Sequence, residues 1–402
     1  MTEMITGLIH HPYTPPEGFA APQAGVFKAS TVLFPNVAAM RSMQWKDKTG
    51  YTYGLHGTPT SYLLEEKLCT LEGGTHCILL PSGLAAITCA SFALLKTGDE
   101  VLIPDNSYGP NLALAEGELK AMGVSHQLYD AMDPADLAAK ISDKTRLVWL
   151  EAAGSITLEF PNLVEQVRIC QARGVTTVLD NTWGAGLAFK PFDLLPGNVD
   201  TLGVDVTVHA LTKYPSGGGD VLMGSCITRN DGLALKLKDN HMRFGWNVGM
   251  NDVELVLRSL PSIGLRYAAH DVGARQLAAW CQTRPEFAQV LHPALPQSPG
   301  HAHWKALCGD GPGRAAGLFS VVFRPEHLQK QVDAFVDGLD LFGIGHSWGG
   351  PESLVVPYNQ ASIRPRRPAH LAPGCIVRFS VGLEDVADLR ADLAQALTQA
   401  FG

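Results

Sequence analysis

From Thr58 onward the chain alternates short apolar runs with stretches whose apolar positions recur at helical spacing. The first such stretch opens on Thr58-Pro59-Thr60, a helix-start pattern with proline in the first turn. It continues through Leu63, Leu64, Leu68 and Leu71 and stops at Gly73-Gly74. Apolar runs at Cys77–Leu80, Glu100–Ile103, Arg146–Leu150, Thr176–Leu179, Thr207–Ala210 and Leu222–Thr228 then predict strands, with helical stretches such as Leu84–Leu95 and Asn162–Ala172 between them. This alternation predicts an α/β domain with a largely parallel sheet, because parallel neighbours need a crossover that a helix supplies. Further on the pattern becomes more helical and then mixed. Val321–Phe323 and Ile376–Val381 read as strands and Val386–Phe401 as an amphipathic helix, which predicts a smaller second α/β domain. Residues 1–57 are rich in Pro, Gly and polar residues and predict an extended arm. The expected divisions are residues 1–57, 58–258 and 259–402.

Ligands of an open α/β sheet bind outside the carboxyl ends of its strands, so functional groups are expected where apolar runs turn polar. Pro81-Ser82-Gly83-Leu84-Ala85-Ala86 joins a strand to a helix. Its small residues let backbone N–H groups approach an anion at the helix N-terminus, although a plain β–α turn reads the same way. Asp180, in Leu179-Asp180-Asn181-Thr182-Trp183, is either a turn or cap residue or a carboxylate able to hold a protonated ring nitrogen. Lys213, in Thr212-Lys213-Tyr214, also follows an apolar run. Burial lowers a lysine pKa and makes the amine a usable nucleophile and base. The adjoining Ser216-Gly217-Gly218-Gly219-Asp220 calls for close backbone packing and is no Walker-type phosphate loop, since no Gly-Lys-Ser/Thr follows. Tyr108, in Asn106-Ser107-Tyr108, is either a packing residue or an aromatic able to stack on a planar ring. An anion cradle, a stacking aromatic, a rim carboxylate and a strand-end lysine together describe a pyridoxal 5′-phosphate (PLP) site.

Composition narrows the partners. Of 402 residues, 46% are hydrophobic and 17% charged, ordinary globular values, and the formal net charge of −8 argues against nucleic acid. The dense basic run Arg364-Pro365-Arg366-Arg367-Pro368 is short and reads as a solvated loop. No uncharged apolar run reaches the roughly 18 residues of a membrane helix, and Met1–Phe19 lack the basic segment and apolar core of a secretory leader. The eight cysteines form no Cys-x-x-Cys pair and several sit in apolar stretches, which predicts free thiols in a reducing cytoplasm. His10 and His11 are adjacent rather than one helical turn apart, and His301 and His303 have no obvious third ligand, so no metal site is expected.

At these residues the sequence resembles the Cys/Met-metabolism PLP-dependent enzymes. The likeness runs from about Gly50 to Leu397. It is carried by Val208-His209-Ala210-Leu211-Thr212-Lys213-Tyr214, Leu71-Glu72-Gly73-Gly74, Pro81-Ser82-Gly83, Leu179-Asp180-Asn181-Thr182-Trp183, His292-Pro293-Ala294-Leu295-Pro296, and Val377-Arg378 with Gly382-Leu383-Glu384-Asp385. The resemblance implies the PLP-dependent transferase-like (aspartate aminotransferase-like, fold type I) fold: a large, mostly parallel seven-stranded sheet domain that binds PLP, a smaller C-terminal α/β domain and an extended N-terminal arm. It also implies roles. Lys213 would bond the cofactor and then shuttle protons, Asp180 would pair with the ring nitrogen, and Tyr108 would stack on the ring. Backbone groups at Gly83 and Leu84, with the Thr212 hydroxyl, would hold the phosphate. Arg378 would clamp the substrate α-carboxylate as a bidentate fork. Tyr53 would reach a neighbouring subunit's site from the arm, making the functional unit at least a dimer and, as is usual in the family, a homotetramer.

The sequence also departs from the family pattern. The family's Tyr-x-Arg, which supplies a phosphate-binding arginine, reads Tyr53-Gly54-Leu55 here. Either backbone donors and hydroxyls carry the phosphate, or a base such as His56 or Arg243 compensates. Ala210 stands where a serine is often found, and Gly218-Gly219-Asp220 where His-Ser-Asp is usual. His346-Ser347-Trp348-Gly349-Gly350 resembles the Ser-Trp-Gly-Gly of the family's bacterial β-lyases, whereas γ-lyases and γ-synthases tend to show Glu-Ser-Leu-Gly-Gly. Ser347 and Trp348 would then bind substrate, Trp348 narrowing the distal pocket unless it simply packs. Gly109-Pro110 after Tyr108 and the run Gly154-Ser155-Ile156-Thr157 point the same way. The implied activity is cytoplasmic β-elimination of L-cystathionine to L-homocysteine, pyruvate and ammonia, with neither nucleic acid nor membrane as partner. A γ-lyase, an O-acylhomoserine sulfhydrylase or a broad cysteine desulfhydrase of the family are the nearer alternatives, and a weakly catalytic PLP-binding regulator the distant one.

Overall fold

The larger sheet is built from His76–Leu80 (β1), Glu100–Pro104 (β2), Ser125–Tyr129 (β3), Thr145–Glu151 (β4), Thr176–Asp180 (β5), Val206–Ala210 (β6) and Gly224–Thr228 (β7). The computed structural model describes residues 3–12, 17–19, 21–46, 48–197, 201–359, 363–364 and 367–402; Pro365 and Arg366 of the basic run lie outside these. The strand order is β1-β7-β6-β5-β4-β2-β3. Strands β2 to β6 pair in parallel, and β7 runs antiparallel to both of its neighbours. Strands covered on both faces read as continuous apolar runs, and β2 and β7 are buried at every position. The edge strand β3, Ser-His-Gln-Leu-Tyr, is exposed at alternate positions and too polar to stand out in the sequence. The Pro59–Glu72 helix starts on Thr58, whose hydroxyl accepts from Ser61 N at 3.3 Å, and stops at Gly73, where φ is 85°. Within the arm, Met4–Ile9 and Val37–Ser42 are short helices.

A second sheet carries Phe287–Leu291 (β8), Leu318–Phe323 (β9), Gly343–Ile344 (β10), Leu354–Tyr358 (β11) and Ile376–Ser380 (β12), in the order β10-β11-β12-β9-β8. Its pairings are antiparallel except β10 with β11. Alternation along a strand sends neighbours to opposite faces. Phe319, Val321 and Phe323 of β9 and Val377 and Phe379 of β12 share one apolar cluster with Leu277 and Leu393 of the Ile263–Cys281 and Val386–Phe401 helices. Arg378, between Val377 and Phe379, therefore faces the larger domain. Ser320 of β9, its partner in register, does the same and donates its hydroxyl proton to the Ile156 carbonyl at 2.6 Å. The fold is the α/β arrangement that the resemblance implies, a mostly parallel seven-stranded sheet with a smaller second sheet. Among the described residues no helix is long and apolar enough to cross a membrane, and no His, Cys, Asp and Glu group could hold a metal ion.

Candidate active site

The segments that follow β1, β2, β4, β5 and β6 converge on one cavity, closed from the second sheet's side by Trp348 and Leu318. Lys213, Asp180, Tyr108, Gly83, Leu84, Thr212 and Trp348 all line it. Lys213 Nζ donates to Ser347 Oγ at 3.0 Å and lies 4.8 Å from the centre of the Trp348 ring. Burial, aided by the Arg378 cation and opposed by the Asp180 carboxylate, lowers the Lys213 pKa to about 8. The lysine's neighbours are fixed across the domains: Gly317 N donates to the Tyr214 hydroxyl at 2.8 Å, and Arg266 Nη1 to the Tyr214 carbonyl at 2.6 Å. The glycine turn after it packs closely, as its composition suggests. A Cβ on Gly217 would lie 2.3 Å from Ser259 Oγ and 2.9 Å from the Arg266 guanidinium carbon.

Two carboxylates sit side by side at the carboxyl ends of two central strands, Asp180 on β5 and Glu151 opposite it on β4. Burial raises the Asp180 pKa, against hydrogen bonds from Thr182. Burial and the Asp180 charge raise that of Glu151. Glu151 escapes the sequence reading, although it follows its apolar run as the other site residues follow theirs. It accepts from Tyr108 N at 2.8 Å and from Ser155 Oγ at 2.6 Å. Ser155 in turn accepts from Arg378 Nη1 at its carbonyl, at 2.9 Å. The Arg378 guanidinium lies 5.2 Å from the Trp348 ring centre and 5.6 Å from that of Tyr358, a second residue the sequence does not single out.

At the opposite end, Ser82 caps the Gly83–Leu94 helix by accepting from Ala85 N at 3.0 Å. The N–H groups of Gly83 and Leu84 lie in the first turn, where a helix offers no internal acceptor, and both residues line the cavity. A Cβ on Gly83 would come within 2.6 Å of Ala210 Cβ, so the cradle depends on small residues at both positions. Thr212 Oγ1 exchanges long hydrogen bonds with Met223, at 3.3 and 3.5 Å. This donor set fits PLP. A protonated ring nitrogen beside Asp180 would offset the burial of the two carboxylates, and a phosphate would meet the free N–H groups of the helix start.

Tyr53 is not among the residues lining this cavity. Its hydroxyl accepts from Ser30 Oγ at 3.3 Å and its ring packs edge-on against His56. Nor do the two compensating bases line it. The His56 imidazole bonds Thr52 Oγ1 at 2.6 Å, and Arg243 pairs with Asp239 at 3.6 Å.

The sequence model of the Cys/Met metabolism PLP-dependent enzymes matches residues 5–398. The chain belongs to this family. Cystathionine beta-lyase of Bordetella avium is 36% identical over 98% of this chain and 98% of its own length. Cystathionine beta-lyase MetC of Escherichia coli K12 is 34% identical, over 91% of each chain. The crystal structure of metB from Corynebacterium glutamicum superposes with a TM-score of 0.87 at 26% identity, covering 99% of this chain and 98% of that one. As a member of a PLP-dependent family the chain is an enzyme, and Lys213 lies just past β6, as the apolar run before it predicts.

Proposed function

We propose that the chain is a cystathionine β-lyase, cleaving the Cβ–S bond of L-cystathionine to give L-homocysteine, pyruvate and ammonia. The observation that carries this reading is the packing of both Lys213 and Arg378 against Trp348, which gathers base, carboxylate clamp and distal-pocket wall around one ring. The two β-lyase relatives, 36% and 34% identical, support it independently.

In this reading Lys213, Asp180 and Tyr108, which line one cavity, would hold PLP, with Asp180 toward the ring nitrogen and Tyr108 toward the ring face. The N–H groups of Gly83 and Leu84 and the Thr212 hydroxyl hold the phosphate. Bound PLP supplies an electron sink that lets a proton leave the substrate Cα. Arg378 fixes the α-carboxylate and so aims the Cα–H bond. Lys213, whose amine Ser347 holds by a hydrogen bond, would accept the Cα proton. The Cβ–S bond breaks with its electron pair on sulfur, and Lys213 returns the proton to the thiolate. The three-carbon enamine that remains takes up one water and yields pyruvate and ammonia.

The same reading makes the unit a homotetramer, with the dimer as minimum, in which Tyr53 and Leu55 meet a neighbour's cavity. Tyr53's place away from its own cavity supports this, as does the rim residue Leu222, 71% exposed in the single chain. A cytoplasmic location belongs with it, supported by eight free thiols.

Incubation of the PLP-loaded enzyme with L-cystathionine, followed by keto-acid identification, tests the proposal. Pyruvate with homocysteine is expected. 2-Oxobutyrate with cysteine would overturn it in favour of γ-cleavage, and absence of any keto acid would overturn both.

A further inference from the structure

Outside the cavity a fully buried carboxylate, Glu159, ties two pieces of chain that line the cavity, the Tyr108 turn and the Ser155 loop, to the stretch that leads into β12. Its Oε2 accepts from Asn106 Nδ2 at 2.9 Å, from Thr157 Oγ1 at 2.7 Å and from Arg364 Nη2, while Oε1 meets His370 Nε2. Arg364, also buried, reaches Thr157 Oγ1 at 3.3 Å and stands 3.8 Å from Asp105. Burial alone would push the Glu159 pKa up, but His370, Arg364 and Thr157 outweigh it and hold the carboxyl at about 2.

These contacts join three segments. Asp105 and Asn106 belong to the turn that ends in Tyr108. Thr157 belongs to the loop whose Ser155 carbonyl orients Arg378 and whose Ile156 carbonyl takes the Ser320 hydroxyl. Arg364 and His370 come from the stretch that leads into β12, the strand of Arg378. Glu151 and Glu159 bracket that loop, and each grips the Tyr108 turn, at Tyr108 N and at Asn106 Nδ2. A buried ionic cluster is a poor source of net stability, because well-packed apolar residues serve as well. What it adds is direction: each bond fixes one donor against one acceptor.

We propose that Glu159 is a positioning residue that, through Asn106, Thr157, Arg364 and His370, sets the register between the Tyr108 turn and the Arg378 clamp and thereby the affinity of the site for an amino-acid carboxylate. This rests on Arg378 being the clamp. The test uses the PLP-loaded enzyme and two probes. L-Alanine has no leaving group at Cβ and binds without elimination; L-alaninamide lacks the carboxylate. Calorimetric titration is expected to show the alanine dissociation constant rising about tenfold in Glu159→Gln, with that for alaninamide unchanged within about twofold. The milder Thr157→Val removes one grip at nearly constant volume and is expected to raise the alanine constant about threefold. With L-cystathionine, KM in Glu159→Gln should rise by the same factor as the alanine constant, while kcat falls less. Unchanged alanine affinity in folded variants, or equal losses for alanine and alaninamide, would overturn the proposal. Arg378→Gln is the control: if it leaves the preference for alanine over alaninamide intact, the clamp assignment itself fails.

Discussion

Capture of PLP by the apoprotein should report the state of Lys213, because only the neutral amine attacks the cofactor's aldehyde. An ordinary lysine with a pKa of 10.5 is neutral in about one molecule in 3,000 at pH 7, whereas Lys213, held at about 8, is neutral in about one in eleven. Burial favours the neutral amine. So the capture rate should rise with pH, reach half its maximum near 8 and level off above about 9. Arg378 also favours the neutral form. Lys213 Nζ and the Arg378 guanidinium carbon lie 4.8 and 5.2 Å from the same ring centre, so they are no more than about 10 Å apart. At an effective dielectric constant of about 20 that repulsion is worth at least about 1.7 kcal/mol, or about one pH unit or more. Replacing Arg378 with Gln should therefore move the midpoint up by about one pH unit or more and slow capture at pH 7 about tenfold or more. Asp180 favours the ammonium form, so Asp180→Asn should move the midpoint down. Stopped-flow absorbance of the cofactor across the pH range gives both numbers. A wild-type profile still climbing at about pH 10, or an Arg378→Gln midpoint that stays or falls, would refute the electrostatic account.

Three further outcomes follow from the site. Lys213→Ala should lower turnover at least about 1,000-fold while circular dichroism and thermal unfolding stay close to wild type, because the role proposed for the lysine is chemical rather than packing. If Leu55 meets a neighbour's cavity as proposed, Leu55→Arg should tighten PLP about tenfold or more by adding a charged phosphate donor; an unchanged cofactor dissociation constant on dialysis would contradict that placement. Trp348→Leu removes the aromatic face that both cations use, and at about 1 kcal/mol for each contact kcat/KM for L-cystathionine should fall about thirtyfold.

What the sequence discloses follows from how each residue earns its place. Lys213 and Asp180 are visible because each is a charged residue immediately after a buried apolar run, where a solvated surface group is out of place. Glu151 obeys the same rule at the end of β4. It was legible in principle, but a carboxylate with no family role attached to it carries no flag. Strand β11 is short and contains Pro357, so local pattern does not separate it from a loop; its pairing with β12 decides the matter. Ser155 acts on Arg378 through its backbone carbonyl, which leaves no mark on residue type. Glu159 is opaque for a different reason. Its partners Asn106, Arg364 and His370 are 53, 205 and 211 residues away, and only the assembled fold brings them to one point.

The surroundings of Arg378 suit the clamp role proposed for it. The guanidinium is buried, and burial lowers its pKa, yet an arginine stays protonated at any physiological pH. A carboxylate partner would satisfy it but would compete with the substrate for the same fork. Among the described residues Arg378 makes no salt bridge; it is held by the Ser155 carbonyl and by the rings of Trp348 and Tyr358. These groups stabilise a cation without neutralising it. The unspent charge does two things at once. It leaves the fork free for an incoming α-carboxylate, and through its repulsion of Lys213 it keeps the amine nearer its reactive form. When a substrate carboxylate binds, that repulsion is offset, so the lysine becomes a stronger proton acceptor just as the Cα–H bond is delivered to it. The clamp and the base are thus coupled by charge as well as by the ring they share.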